Sequence, residues 1–222
     1  MAAPIWEVDH VFICTAPQAP AAELLRQAGL TEGTPNQHPG QGTACRRFFF
    51  SNAMLELLWL KDEAEAQSEQ TRATMLWERL TSGRLASPFG IILRPASGSE
   101  PVCPWRSWIY RPPTMPGLEL EIAADTELDE PMWLFLKAGR APAEWPPERR
   151  QPMEHAAGFR EMTGVRVHCP AVKDSSVTDI MARQRVITIQ TGEEHLLELQ
   201  FDGGRRRITR DFRPELPLIL QR

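Results

Sequence analysis

Glu56 is the only charged side chain in the apolar segment 54–60, MLELLWL. Burying an unpaired carboxylate costs several kcal/mol, so we expect a partner group or a metal ion beside it. His10 lies in another strand-like segment, 5–14, where alternation puts it on the same face as Phe12 and Cys14. An imidazole and a carboxylate together suit a divalent ion such as Zn, Mn, Fe or Ni. A hydrogen-bonded His–Glu pair inside a cleft, without a metal, is the alternative interpretation.

Glu198 repeats the setting of Glu56, because both stand in a Leu-Glu-Leu triplet of an apolar strand, MLELLWL and HLLELQF. If neighbouring strands pair in register, Arg166 and His168 share the face of Glu198. Glu198 is therefore either part of a polar pocket wall or a member of Arg–Glu pairs on a solvated sheet face.

Aromatic side chains could line a cleft for an organic ligand, and an arginine could hold its carboxylate or phosphate group. The candidates for these cleft walls are Trp59, Trp108, Tyr110, Arg46 and Arg94. Core packing of the aromatic rings and surface solvation of the arginines are the ordinary alternatives.

The elements that must position these residues are mostly strands. The tripeptide Ser51-Asn52-Ala53 is short enough to join two of them as a hairpin. Apolar runs predict strands over 5–14, 45–50, 54–60, 88–94, 118–123, 132–136, 163–169, 186–190, 195–201 and 216–220.

Helices are expected over 20–29, 62–83 and 174–182. Asp62 followed by Glu65 resembles a capping box at the start of the second of these. Four prolines in 139–158 predict an irregular linker.

Composition excludes several classes of protein. The chain has 222 residues, 42% hydrophobic and 24% charged, which is typical of a soluble globular protein. Its net charge of −4 gives no sign of the positive charge that nucleic-acid-binding proteins carry. No apolar run approaches the ~20 residues of a membrane span, no secretory signal is evident, and the cysteines lack C-x-x-C spacing. We therefore expect a cytoplasmic protein without nucleic-acid or membrane partners.

Five segments carry a family likeness: VDHVFI, HPGQGTACRRFFF, NAMLELLWLKDEAEA, SPFGIILRP and RDFRPELPLIL. Together they resemble the glyoxalase-like proteins of the vicinal-oxygen-chelate (glyoxalase/bleomycin resistance/dioxygenase) superfamily. The resemblance implies an α+β fold in which paired βαβββ modules form an open curved mixed sheet around a cleft, with helices outside. It implies one domain over 1–222, with a first module at 4–62, a helix at 62–83, middle strands at 86–142 and a second module at 160–222.

In that superfamily, metal ligands come from the first and last strands of each module. The resemblance assigns His10 and Glu56 to these positions in the first module, and Glu198 to the last strand of the second. The fourth position falls on Gly164, which cannot ligate a metal. If 86–142 is a module in its own right, Glu198 lies outside the cleft.

The resemblance implies two alternative functions for a small-molecule ligand cleft. One is a divalent-metal-dependent lyase, isomerase or dioxygenase, in which His10, Glu56 and Glu198 hold the ion and a carboxylate transfers a proton. The other is metal-free binding or sequestration of the molecule, as in resistance-type relatives. Superfamily members often dimerise, so either a monomer or a homodimer is expected.

Overall fold

A computed structural model describes residues 5–170, 172–174, 176–183 and 187–222. Within these ranges the chain is a strand-rich α+β protein, with thirteen strands in two open mixed sheets and four short helices. The expectation of an α+β fold with an open mixed sheet is therefore confirmed, and a second sheet is present in addition. No helix in the described ranges is long and apolar enough to cross a membrane.

Eight strands make up the first sheet: β1 (Trp6–Cys14), β2 (Asn36–His38), β3 (Thr43–Phe49), β4 (Met54–Leu60), β5 (Phe89–Pro95), β6 (Ser107–Tyr110), β7 (Leu120–Ala123) and β8 (Met132–Phe135). Their order across the sheet is β2-β3-β4-β1-β5-β8-β7-β6. The sheet has two halves with the same strand connectivity, because β1 is parallel to β4 and β5 is parallel to β8. The halves meet where β1 pairs antiparallel with β5. Helix α1 (Ala22–Gln27) follows β1, whereas the described segment 96–106 after β5 contains no helix.

Five strands make up the second sheet: β9 (Met162–Cys169), β10 (Ile187–Thr191), β11 (Leu196–Phe201), β12 (Thr209–Asp211) and β13 (Leu218–Gln221). Their order, β10-β9-β11-β13-β12, differs from that in either half of the first sheet. Helix α4 (Val177–Arg183) connects β9 to β10 and is capped by Ser176, whose Oγ accepts from the backbone N–H of Asp179 at 3.1 Å. The expected strand 186–190 begins at Val186, which lies outside the described residues.

A continuous hydrophobic core joins the two sheets. Strand alternation sends Leu55 of β4 into this core, together with Val167 of β9 and Leu199 of β11. Phe50 and Phe201 meet across the layers, with ring centroids 4.5 Å apart. One face of the first sheet is therefore covered by the second sheet.

The other face of the first sheet carries a separate, smaller apolar cluster. Phe12, Leu58, Ile92 and Leu134 belong to it, and each alternates along its strand with residues of the shared core. Glu56 lies two residues from Leu58 and so faces the same side of β4.

The segment 62–83 is not the single helix that the sequence predicts. The chain from Glu63 to Leu85 contains two short helices and two 3-10 turns: α2 (Glu63–Ala66), Arg72–Thr74, α3 (Leu76–Thr81) and Gly83–Leu85. Met75 has a left-handed φ of 56°, which interrupts the helical path. Asp62 does cap α2, because its Oδ1 accepts from the backbone N–H of Glu65 at 3.0 Å. The Glu65 side chain does not complete a capping box, because it accepts hydrogen bonds from Gly40 and Gly42 instead.

The proline-rich segment 139–158 is irregular, as the sequence predicts. It contains two 3-10 turns, at Pro142–Glu144 and Pro147–Arg149, and neither a strand nor an α-helix. His155 fixes its far end, with Nδ1 accepting from the backbone N–H of Thr31 and Nε2 donating to the carbonyl of Phe49.

Candidate functional site

A cavity of about 560 Å3 lies on the face of the first sheet that is turned away from the shared core. Both halves of the sheet contribute to it, and its lining residues all lie between Asp9 and Arg149. Ligand pockets in proteins commonly have volumes of about 300–1,000 Å3. The cavity therefore has room for a small organic molecule.

Adjacent residues Asp9 and His10 both line the cavity, although regular alternation would send them to opposite faces. The reason is a β-bulge in β1: Val8 pairs with Leu93 and His10 with Ile92, so Asp9 is the extra residue. Asp9 Oδ1 lies 2.6 Å from His10 Nδ1 and accepts its proton in a hydrogen bond. Nε2 of His10 is left as the ring atom available to a ligand.

Arg94 holds the Asp9–His10 pair in place through a contact with Asp9. Its side chain is buried, and its guanidinium donates to the carbonyl of Val8, to Asp9 Oδ2 at 3.5 Å and to Glu7 Oε2 at 2.9 Å. Asp9 is thus held between the His10 ring and the Arg94 guanidinium, and the His10 ring has a fixed orientation.

The pKa of His10 is raised above its ordinary value. Burial by itself lowers this pKa, but the hydrogen bond to Asp9 and the charges of Glu56 and Asp9 outweigh burial, with Arg47 opposing them. The site therefore favours a protonated His10 more than water does.

Glu56 is buried on the same cavity, with 7% of its surface exposed. Arg47 of β3 lies directly opposite it in the strand register and also lines the cavity. Burial and the charge of Glu56 raise the pKa of the neighbouring Cys45 thiol, which keeps that thiol protonated. Glu56 thus acts electrostatically on His10 and on Cys45.

A hydrogen-bond network extends the polar wall to the edge of the sheet. Nδ2 of Asn36 donates to Nε2 of His38, whose Nδ1 lies 2.9 Å from Thr43 Oγ1. Gln41 donates to the same hydroxyl and accepts from the Tyr110 hydroxyl at 3.1 Å. Burial lowers the pKa of His38, so its ring is neutral with both nitrogens engaged.

The opposite wall of the cavity is apolar. Strands β5, β7 and β8 supply Ile92, Leu120, Ile122, Met132 and Leu134. The charged residues of the sheet face therefore come from its first half, whereas its second half contributes mainly apolar side chains.

The irregular segment 139–158 forms part of the rim. Trp145 packs edge-on against Phe49 at 5.6 Å, and its Nε1 donates to the carbonyl of Arg140. The guanidinium of Arg149 lies over the Trp145 ring at 5.2 Å. Arg140, Trp145 and Arg149 all line the cavity.

Three of the residues singled out in the sequence line this cavity: His10, Glu56 and Tyr110. The expected cleft residues Trp59 and Trp108 instead pack against the two apolar clusters.

Two expected cleft arginines serve other roles. Arg46 is paired with Glu23 and Glu32 on the far side of β3. Arg94 lies beneath the cavity wall, where it pairs with Asp9.

Glu198 is not part of the cavity and lies on β11 of the second sheet. Its carboxylate accepts from Arg166, His168 and Gln221 at 2.6 to 3.0 Å. The sequence interpretation of Glu198 as a third ligand beside His10 and Glu56 therefore does not match its position, and the alternative of ion pairs on a sheet face does.

Several polar cavity residues escaped the sequence analysis as site candidates, among them Asp9, Asn36, His38 and Gln41. The hairpin register distinguishes Arg47 from Arg46, because Arg47 is the arginine that lies opposite Glu56. For Asp9 no signal existed, because only the bulge turns it into the cavity.

The donor set does not fit a metal held by the protein. His10 Nε2 and the Glu56 carboxylate are available, but His38 has both nitrogens in hydrogen bonds, and the second half of the sheet offers Ile92 and Leu134. Catalytic metal sites normally have three protein ligands. Among the described residues, no group of three or more His, Cys, Asp or Glu side chains is arranged to hold a metal ion.

Comparison with known proteins gives a likeness of fold. No protein-family model and no curated protein matches this chain. A hypothetical protein from Staphylococcus aureus is similar over 98% of this chain and 98% of its own, with a TM-score of 0.51 and 9% sequence identity. Hypothetical protein BH1468 from Bacillus halodurans C-125 matches 60% of this chain and 94% of its own, at 13% identity and a TM-score of 0.37. The first comparison indicates a shared fold and the second is too distant to carry an argument.

Proposed function

We propose that this protein binds a small organic molecule in the cavity of the first sheet, without a metal held by the protein. The observation that carries the proposal is the two-sided lining of that cavity. One wall offers fixed hydrogen-bonding and charged groups, and the other offers apolar side chains. Most ligand sites combine an apolar surface with a few placed polar groups in this way.

We further propose that the first sheet is a pair of vicinal-oxygen-chelate modules, 5–60 and 89–135. Support comes from its two halves, which have the same connectivity and meet at an antiparallel pair of first strands. The second sheet would then be an addition that covers the back of the pair.

Metal content tests the metal-free part of the proposal. We expect protein purified without chelator to contain no stoichiometric divalent metal by elemental analysis, because the protein offers two donors rather than three. A stoichiometric metal that is lost in His10→Ala and retained in His168→Ala, a histidine of the second sheet, would contradict it.

A second candidate function is acid–base catalysis on the bound molecule, as in a lyase or isomerase. The hydrogen bond that Asp9 accepts from His10 Nδ1 favours it, because a carboxylate in this position fixes the ring and stabilises its protonated form. His10 and Glu56 would then exchange protons with the ligand. Conversion of a bound compound, followed by NMR and abolished in His10→Gln without loss of binding, is the expected result.

The binding proposal is tested by a thermal-shift screen of metabolites and antibiotics, with and without EDTA. We expect compounds that raise the melting temperature to do so equally in both conditions. Leu120→Trp, which adds bulk to the apolar wall, should weaken their binding by at least about tenfold, or 1.4 kcal/mol.

The matched control is Ile109→Trp on the neighbouring strand β6. Ile109 is 44% exposed, and it pairs with Glu121 on the other face of β7, away from Leu120. Binding should be unchanged in this variant. If the compounds bind the wild type and Leu120→Trp with equal affinity, they bind outside this cavity.

A further inference from the structure

Arg47 is a cation within the cavity whose hydrogen-bonding capacity is largely unused. Its Nε donates to the carbonyl of Thr34 at 2.8 Å, and its guanidinium lies over the Phe49 ring at 5.1 Å. Neither terminal nitrogen has a hydrogen-bond acceptor among the described residues. A half-buried guanidinium with both terminal nitrogens free can bind a carboxylate through two parallel hydrogen bonds.

The guanidinium of the neighbouring Arg46, by contrast, is paired with carboxylates. Its guanidinium donates to Glu32 at 2.5 and 2.7 Å and to Glu23 at 2.7 Å. Arg46 faces the opposite side of β3 and stabilises the contact with α1. The free nitrogens of Arg47 are therefore not a general property of arginines on this strand.

The carboxylates of the cavity do not neutralise its arginines. Among the described lining residues, the acids are Asp9 and Glu56, and Asp9 is already matched by the buried Arg94. Glu56 lies opposite Arg47 in the register but forms no ion pair with it within 4.0 Å.

The rim adds positive charge. Arg140 and Arg149 are exposed there, and neither forms an ion pair with a described residue. Even with a neutral His10, the described lining residues of wall and rim together include three arginines, Arg47, Arg140 and Arg149, against the two acids.

We propose that the ligand is a carboxylic acid with an apolar body, whose carboxylate binds the terminal nitrogens of Arg47. The inference rests on the proposed function, since it names the class of molecule that the same cavity takes. The apolar body would lie along the second half of the sheet, against Ile122 and Leu134. The rim arginines Arg140 and Arg149 would attract the anion before it enters.

Two matched pairs of compounds test this inference: 4-phenylbutyrate against its primary amide, and decanoate against decanamide. Within a pair the apolar body is the same and only the charge differs. By titration calorimetry near neutral pH, the wild type should bind each acid at least about tenfold more tightly than its amide. Arg47→Gln should bring acid and amide to equal affinity while the affinity for the amide stays unchanged.

Arg84→Gln is the matched control, because Arg84 is exposed and lies outside the cavity. This variant should retain the preference for acids. Arg47→Lys should retain part of it, since a lysine keeps the charge but loses the paired geometry, and this variant also covers the case in which Arg47→Gln does not fold.

Equal affinity of the wild type for acid and amide would overturn the inference and leave the proposed function intact. A preference for acids that stays at its full wild-type size in Arg47→Gln and in Arg47→Lys would also overturn it. Failure of all four compounds to bind would overturn it as well. The proposed binding of a small molecule fails instead if the wider screen finds no ligand whose affinity Leu120→Trp weakens.

Discussion

Asp9 is the residue on which the chemistry of the cavity depends, because it contacts both His10 and Arg94. Its two oxygens have different partners: Oδ1 accepts from the His10 ring, and Oδ2 accepts from the buried guanidinium of Arg94. A carboxylate so placed fixes the ring and favours its charged form. The protonated form of His10 is therefore favoured by its neighbour in the chain as well as by the charge of Glu56 on another strand.

Asp9→Asn should lower the pKa of His10, because the negative end of the hydrogen bond is lost. The pKa can be measured by following the His10 ring resonances in an NMR titration. Glu56→Gln should lower it less, because Glu56 acts on His10 through charge alone. An unchanged pKa in Asp9→Asn, in protein shown to be folded by circular dichroism, would contradict this account.

Arg46 and Arg47 lie on opposite faces of β3, and the register of the hairpin decides which of them faces the cavity. A three-residue turn at Ser51-Asn52-Ala53 would put Arg46 on the face of Glu56. In the structure Phe49 pairs with Met54, so the connection has four residues, and Arg47 takes that face. A slip of one residue exchanges the faces of every side chain in a strand.

At the scale of elements, the contact between β1 and β5 brings the two halves of the sheet together. Gly90 of β5 pairs with Phe12 of β1, and a Cβ at Gly90 would lie 1.9 Å from the Phe12 ring. The absence of a side chain at Gly90 therefore allows Phe12 to lie across the junction, where it lines the cavity.

Gly90→Ala should destabilise the protein by about 1–3 kcal/mol, because the Phe12 ring has to move. The free energy of unfolding can be measured by urea denaturation. Gly164→Ala in β9 is the matched control, since the nearest atoms belong to the exposed and flexible side chain of Gln200, at 3.3 Å. A Gly90→Ala protein as stable as Gly164→Ala would show that Phe12 moves without cost.

His155 connects the irregular segment 139–158 to the first sheet, and this contact depends on pH. Burial lowers the pKa of His155, and the hydrogen bond to the Phe49 carbonyl opposes this shift. In addition, Nδ1 accepts the Thr31 N–H only when the ring is neutral. The unfolded chain, with an ordinary value of 6.5, then binds the proton more readily than the folded protein. The stability contributed by neutral His155 is therefore complete above that value and is lost as the pH falls below it.

Urea denaturation over a pH series tests this contact. From about pH 7 to about pH 5, the free energy of unfolding should fall less in His155→Gln than in the wild type, because the variant has no proton to gain there. At neutral pH the free energy of unfolding of the variant should be about 1–3 kcal/mol lower than that of the wild type, because glutamine forms these hydrogen bonds imperfectly. Parallel pH profiles for the two proteins would rule out His155 as a source of acid sensitivity.

At the scale of the whole molecule, the two sheets share one core. The fully buried Phe201 packs on both Phe50 and Phe159, with centroids 4.5 and 5.0 Å away, and Trp133 of the first sheet donates to Thr178 of α4 at 3.0 Å. A core that is continuous across both layers favours a single cooperative unfolding transition.

Phe201→Ala should lower the free energy of unfolding by about 3–5 kcal/mol and shift the transition as a whole. Tryptophan fluorescence and far-ultraviolet circular dichroism should report the same midpoint, because neither sheet is stable alone. Ile109→Ala, at an exposed position, should change stability by no more than about 0.5 kcal/mol. Two separate transitions, only one of them moved by Phe201→Ala, would mean that the sheets unfold independently.

The sequence by itself determined the strand-rich α+β class, most of the strands of the first sheet and the helix cap at Asp62. These features follow from local patterns, such as apolar alternation and hydrogen bonds within a few residues. His10 and Glu56 were also recognisable as unusual side chains in apolar strands.

Only the tertiary structure decided which residues meet. The bulge at Asp9, the four-residue connection after Phe49 and the pairing of β1 with β5 select Asp9, Arg47 and the apolar wall as neighbours of His10, and leave Glu198 on another sheet. Strand register and sheet order depend on contacts between distant parts of the chain, which no local pattern encodes.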